Sequence, residues 1–191
     1  MDQIRWMAGL GLVFFAVASL GRAENEALGA LFKDAGAEGT IILSTLDGKT
    51  VHRWNEERSR QRFAPASTFK IPNTLIALEE GVAKGPDEAF KWDGKEHWAK
   101  SWNQDQTLVT SFQRSVVWVY QDMAREVGEE RYHRHLRELD YGNRKIGEDV
   151  ATFWLDGSLG ITAEEQVAFM KGLCRESFDY RKESYAMLKE I

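Results

Sequence analysis

An α+β fold, a mixed α/β sandwich in which helices outnumber strands, is predicted by three observations. Two short β-prone runs flank an Asp-Gly pair early in the chain, helical periodicity fills most of the remainder, and no internal repeat or low-complexity linker divides the sequence. With 191 residues, 43% hydrophobic and 12% aromatic, the chain has material for one packed domain with room for a smaller helical lobe.

Residues 24–33 read as a short amphipathic helix. Gly39-Thr-Ile-Ile-Leu-Ser44 and Thr50-Val-His-Arg-Trp54 are rich in β-branched residues and bracket Leu46-Asp47-Gly48-Lys49. Asp-Gly supplies the positive φ that a tight hairpin turn requires, so the pair predicts a hairpin. The charged residues 55–62 form an exposed connection. A helix then runs from near Ser67 to Gly81, with Pro72 tolerated because the first turn has no use for its missing N–H. Over residues 86–160 strand signals vanish. Short helical patterns are punctuated by Gly94, Gly128 and Gly142, and tryptophan recurs at positions 92, 98, 102, 118 and 154. Thr162-Ala-Glu-Glu165 is a capping box that opens a helix to Leu173, and a last helix covers about residues 180–191. Two strands are too few for a stable sheet. The expectation is therefore that the hairpin's sheet partners lie outside this sequence.

Composition narrows the function classes. A net charge of −5 leaves no face-sized basic patch, so no nucleic-acid partner is expected. Arg131, Arg134 and Arg137 fall at helical spacing but are interleaved with Glu129, Glu130 and Glu138, which reads as a solvated face. Residues 1–23 carry a basic Arg5, an apolar stretch from Met7 to Leu20 and Gly21-Arg22-Ala23, with small residues at −3 and −1 of a cleavage point. This is a secretory signal peptide in form, too short in its apolar run for a lasting membrane anchor. It places the domain at residues 24–191, exported to the periplasm or secreted. The one cysteine, Cys174, excludes an intrachain disulfide framework and reads as a buried, inert thiol among apolar neighbours. His133-Arg-His135 suggests a zinc hydrolase only faintly, since two helical positions two apart point to different faces.

The candidate chemistry starts at Ser67-Thr68-Phe69-Lys70. Helical positions three apart share a face, so the Ser67 hydroxyl and the Lys70 amine should meet in one space. A serine hydroxyl becomes nucleophilic when a neighbouring base removes its proton, and a lysine serves as that base only when neutral. Phe69, Ile71 and Leu75-Ile-Ala-Leu78 provide apolar surroundings that lower a lysine's pKa. Three further segments place polar groups in order along the chain: Ser115-Val-Val117, Tyr141-Gly-Asn143 and Phe153-Trp-Leu155. Each read singly is structural.

Together they carry a resemblance. Pro65-Ala-Ser-Thr-Phe-Lys70 with Asn73-Thr-Leu-Ile-Ala-Leu-Glu79, Phe90-Lys-Trp-Asp-Gly94, Ser115-Val-Val117 with Val119-Tyr-Gln121, Tyr141-Gly-Asn143 and Phe153-Trp-Leu155 with Gly157 resemble the class D, oxacillinase-type serine β-lactamases. The resemblance covers nearly the whole chain and implies the serine β-lactamase and penicillin-binding transpeptidase-like fold. It implies hydrolysis of β-lactam antibiotics, hence resistance, through an acyl-enzyme on Ser67. Lys70 would take up CO2 as an N-carboxylated base, Trp154 would donate its indole N–H to that group, and Ser115 would relay a proton to the leaving nitrogen. Val117, Leu155 and Phe69 form the expected substrate-binding set, with Val117 and Leu155 also walling off the lysine. The Ser67 backbone N–H would be one oxyanion donor, and no metal or other cofactor is implied. The small-molecule β-lactam is the one partner implied; oligomeric state is left open.

The family also has a Lys-Thr-Gly strand that binds the substrate carboxylate, and this sequence contains no Lys-Thr-Gly. The expectation is a chain that is incomplete at its C-terminal side, lacking the last strands of the central antiparallel sheet and folding loosely alone. Two readings stand beside hydrolysis: a penicillin-sensing domain whose acyl adduct persists, and an inactive remnant.

Overall fold

A computed structural model describes residues 24–191; the leader expected over residues 1–23 lies outside them. Helix α1 (Glu26–Asp34) starts where the Asn25 side chain accepts the Leu28 N–H at 3.2 Å, satisfying one of the donors a helix start leaves free. Strands β1 (Ile41–Ser44) and β2 (Val51–Trp54) form the expected antiparallel hairpin, with Ile41 opposite Trp54 and Ser44 opposite Val51. Gly48 has φ 74°, the left-handed geometry that the Asp-Gly pair forecast. A short α2 (Glu56–Ser59) follows.

The Ser67 segment is a 3-10 turn, Ala66–Phe69, that runs directly into α3 (Lys70–Glu79). Pro72 sits in the first turn of α3, as its missing N–H requires. From Pro72 to Leu78 every α3 side chain is buried, which marks a helix enclosed on all sides by the core. Its neighbours are α5 (Val117–Val127) and α8 (Lys182–Glu190).

A second ladder pairs β3 (Ala89–Phe90) with β4 (Gln106–Thr107), in a region where no strand was expected. Two residues per strand are below the length at which alternation can register in a sequence. Helices α4 (Leu108–Gln113), α6 (Glu129–Glu138) and α7 (Ala163–Cys174) complete the set. The capping box at α7 forms as anticipated: Thr162 Oγ1 accepts the Glu165 N–H at 3.0 Å and Glu165 accepts the Thr162 N–H at 2.9 Å. Helix α7 packs on β1, and Arg53 of β2 reaches Glu164 at 2.9 Å.

The interior is unusually aromatic. Phe69 lies at its centre, with ring centroids 5.2 Å from Phe153, 5.5 Å from Tyr141, 5.6 Å from Trp154 and 6.4 Å from Tyr132. At the other end of α3, Arg181 donates to the carbonyls of Leu78 (2.6 Å) and Glu79 (2.9 Å), reinforcing a helix end where Leu78 O also accepts the Gly81 N–H at 3.2 Å. Glu80 beside them faces His135, Arg131 and Arg134. Burial pushes its carboxyl up, but the His135 hydrogen bond and the surrounding positive charge outweigh that and hold it below the usual carboxylate value.

One connection matters for the site. The segment over residues 143–161 is stapled shut by Asn143, whose Nδ2 donates to Ser158 O at 2.9 Å and whose Oδ1 accepts the Gly160 N–H at 3.0 Å. Gly142 makes that closure possible: it has φ 55°, and a Cβ there would lie 2.4 Å from Gly160 O. Gly142→Ala is therefore expected to destabilise the chain by ~1–2 kcal/mol for the left-handed backbone alone, with the contact adding more. Thermal unfolding would register this as a fall of at least ~3 °C; an unchanged midpoint would mean that the staple is not needed.

Candidate active site

Ser67 lies in the 3-10 turn with its side chain exposed, and its Oγ is 2.9 Å from Ser115 Oγ. Ser115 occupies the turn between α4 and α5. Its φ is 56°, and Ala66, immediately before the Ser67 hydroxyl, has φ 46°. Left-handed backbone at residues other than glycine costs energy and persists only where the surroundings enforce it. Here they do: the Ala66 N–H donates to Trp154 O at 3.0 Å, and the Ser115 N–H to Phe112 O at 3.2 Å. Two strained residues thus aim two hydroxyls at one another.

Lys70 opens α3, one turn beyond Ser67. Its Nζ donates to Phe112 O at 2.7 Å and lies 5.0 Å from the Phe112 ring centroid. Burial holds its pKa below the ordinary 10.5, because the apolar surroundings disfavour the charged amine. The Phe112 carbonyl therefore accepts from both Lys70 and Ser115, tying the amine to the turn that presents the second hydroxyl. Sequence reasoning missed Phe112. It acts through its backbone, which leaves no signature in residue type.

Trp154 is almost fully buried and its ring stacks on Phe69, the planes 22° apart. Among the described residues its indole N–H has no hydrogen-bond acceptor in the protein. Val117, half-buried, is the first residue of α5, and Leu155, 39% exposed, follows Trp154 at the surface. Phe69 departs from its expected place. With 0% exposure it has no surface to offer a substrate and serves as the packing centre behind Trp154. The reason is helical geometry, since Ser67 and Phe69 are two positions apart and cannot share a face.

Two other expectations fare differently. Cys174 is exposed, at the end of α7 where the helix leaves the core, and is no buried thiol. His135 is buried, with Nδ1 2.5 Å from Tyr180 Oη and Nε2 2.7 Å from Glu80, whereas His133 faces Glu129 at 3.5 Å. The two imidazoles thus serve separate partners. Among the described residues no helix is long and apolar enough to cross a membrane.

An exposed hydroxyl, a second hydroxyl 2.9 Å from it and an amine kept short of its full basicity one turn away are groups of the kind a serine acyl-transfer centre requires. Residues 31–177 match the penicillin-binding protein transpeptidase domain family. The chain is 39% identical over 191 residues to β-lactamase OXA-20 of Pseudomonas aeruginosa, covering 95% of this chain and 72% of that protein. It is 40% identical over 167 residues to β-lactamase OXA-48 of Klebsiella pneumoniae, covering 87% of this chain and 63% of that one. Among solved structures, the class D β-lactamase FUS-1 (OXA-85) of Fusobacterium nucleatum subsp. polymorphum superposes with a TM-score of 0.85 at 37% identity, over 88% of this chain and 70% of that chain. A class D β-lactamase from Sebaldella termitidis gives 0.83 at 37% identity, over 86% and 66% respectively. The chain belongs to the class D β-lactamase family, of whose curated members it spans about two thirds of the length.

Proposed function

We propose that this chain carries the reaction centre of a serine β-lactamase, which opens β-lactam antibiotics through an ester on Ser67 and so confers resistance. Ser67 Oγ attacks the lactam carbonyl carbon while its proton passes to the base at Lys70. The ring C–N bond breaks, and Ser115 passes a proton to the departing nitrogen. Water then attacks the ester carbonyl, the same base takes the water's proton, and the acid product leaves with Ser67 restored. The base is Lys70 after its neutral amine has added CO2, forming an N–C bond with loss of one proton to solvent. The Trp154 N–H would then donate to the new carboxylate, and Val117 and Leu155 exclude water around it.

The observation that carries the reading is the Ser67–Ser115 contact of 2.9 Å, made one turn from an amine whose pKa burial has lowered. The Trp154 N–H, which donates to no protein group among the described residues, supports the carboxylated lysine, because a carboxylate there would give it an acceptor. The apolar start at residues 1–23 supports export with cleavage after Ala23.

Intact-mass measurement tests this. On adding benzylpenicillin in bicarbonate buffer, the chain should gain and then lose the mass of one drug molecule, Ser67→Ala should gain none, and exported protein should begin at Glu24. An adduct that persists for hours would replace hydrolysis with drug sensing. Absence of any adduct would refute the acyl-enzyme.

A further inference from the structure

The Lys70 amine is held by a partner other than the nucleophile. Ser67 Oγ bonds Ser115 Oγ at 2.9 Å, whereas Lys70 Nζ donates to Phe112 O at 2.7 Å. The same residue also offers its ring: Nζ stands 5.0 Å from the Phe112 centroid, within reach of a cation–π attraction. Phe112 lies in the last turn of α4, where carbonyls have no donor from their own helix. One residue thus grips the amine twice, through a carbonyl oxygen and an electron-rich ring face.

Two effects on the amine oppose one another. Burial disfavours the ammonium and brings Lys70 below the ordinary lysine value. The Phe112 ring pulls the other way, since a ring face attracts the cation and has no comparable attraction for the neutral amine. Among the described residues no carboxylate pairs with Nζ, so no full negative charge overrides the ring. Carboxylation reverses the sign of the contact. The lone pair of the neutral amine forms an N–C bond to CO2, one C=O electron pair moves onto oxygen, and an N–H proton leaves to water. An anion then stands where the ring had a cation, and the electron-rich face repels it.

We propose that Phe112 is a positioning residue that holds Lys70 as the uncarboxylated ammonium, so that its ring sets how much CO2 the site requires before the base forms. This rests on the carboxylated-lysine reading above and adds the group that opposes carboxylation. The base then forms only where dissolved CO2 is plentiful.

The test keeps the carbonyl and the side chain's shape and changes the ring's electrons, with para-fluorophenylalanine and then trifluorophenylalanine in place of Phe112 in the full chain. Carbon-13 bicarbonate is titrated at neutral pH, and the carbamate signal, absent from Lys70→Met, is followed by NMR. The half-saturating concentration should fall stepwise, by ~2–5-fold for the trifluoro ring. In CO2-free buffer the Lys70 Cε signal reports protonation, and the amine's affinity for its proton should weaken by the same factor. A purely structural role for Phe112 would not rank the variants by ring charge. A carbamate whose half-saturation is the same with every ring overturns the proposal and leaves the carboxylated base standing. If wild type gives no carbamate at any bicarbonate concentration, the carboxylated base falls and the CO2-free titration decides Phe112. There, a proton affinity that follows the ring keeps Phe112 as the holder of the ammonium, and one that ignores the ring removes it.

Discussion

Replacing Lys70 with methionine is expected to slow acylation of Ser67 by ~10²–10⁴-fold and to leave whatever ester forms undischarged. Methionine preserves the length and apolar character of the stem but neither accepts a proton nor binds CO2. In the unsubstituted chain the acylation rate should rise with pH, with its midpoint below the ordinary lysine value of 10.5, because only the neutral amine adds CO2 and burial favours that form. Stability should run the other way in the substitution. The folded-state pKa of Lys70 lies beneath its unfolded value, so the unfolded chain binds more protons and Lys70 makes stability increase with pH. The penalty of burying the charged amine is full below the folded pKa and is relieved as pH climbs towards 10.5. Lys70→Met should therefore melt no lower than the parent at neutral pH while losing its activity. Stability at the expense of function is the expected signature of a residue kept for chemistry. Retained deacylation in this variant would remove Lys70 as the base.

The same residue shows where sequence reading reaches and where it stops. The placing of Ser67 and Lys70 one turn apart follows from spacing alone, although the Lys70 amine bonds Phe112 O and the Ser67 hydroxyl bonds Ser115; the hairpin at Asp47-Gly48 and the box at Thr162 and Glu165 follow from local chemistry that needs no tertiary partner. Ser115 is different. Its contact with Ser67 comes with a left-handed backbone that serine does not favour by itself, enforced by the Phe112 carbonyl and the packing of α4 against α5. Nothing in the letters Ser-Val-Val encodes that; only the resemblance drew attention to it. Cys174 fails for a related reason. Its neighbours Phe169, Met170 and Leu173 do pack inward, but Cys174 is the last residue of α7 and lies outside the stripe they form. Periodicity assigns a face to a helix interior and loses its meaning at the final turn. The β3–β4 ladder lies below the length at which periodicity exists at all.

Phe69→Ala is expected to cost ~3–5 kcal/mol, a large share of the ~5–15 kcal/mol that holds a domain folded. Four rings pack around Phe69, and its removal leaves a void that none of them can fill without abandoning its own contacts. A fall of ~10 °C or more in the unfolding midpoint would follow. Activity should fall as well, through Trp154. That indole is held by stacking on Phe69 and by the backbone bond to Ala66, so loosening one face of it frees the N–H proposed to steady the base. The two roles that can be assigned to Phe69 give opposite results. A packing residue lowers the melting temperature and the turnover number together, and Phe69→Leu, which returns most of the buried apolar volume, recovers both. A substrate-contacting residue would leave the melt nearly unchanged and raise KM. With no exposed surface and a place two residues from Ser67, on a different face of its turn, Phe69 belongs to the first kind, and a single pair of measurements, the melt and KM of Phe69→Ala, tells the two apart.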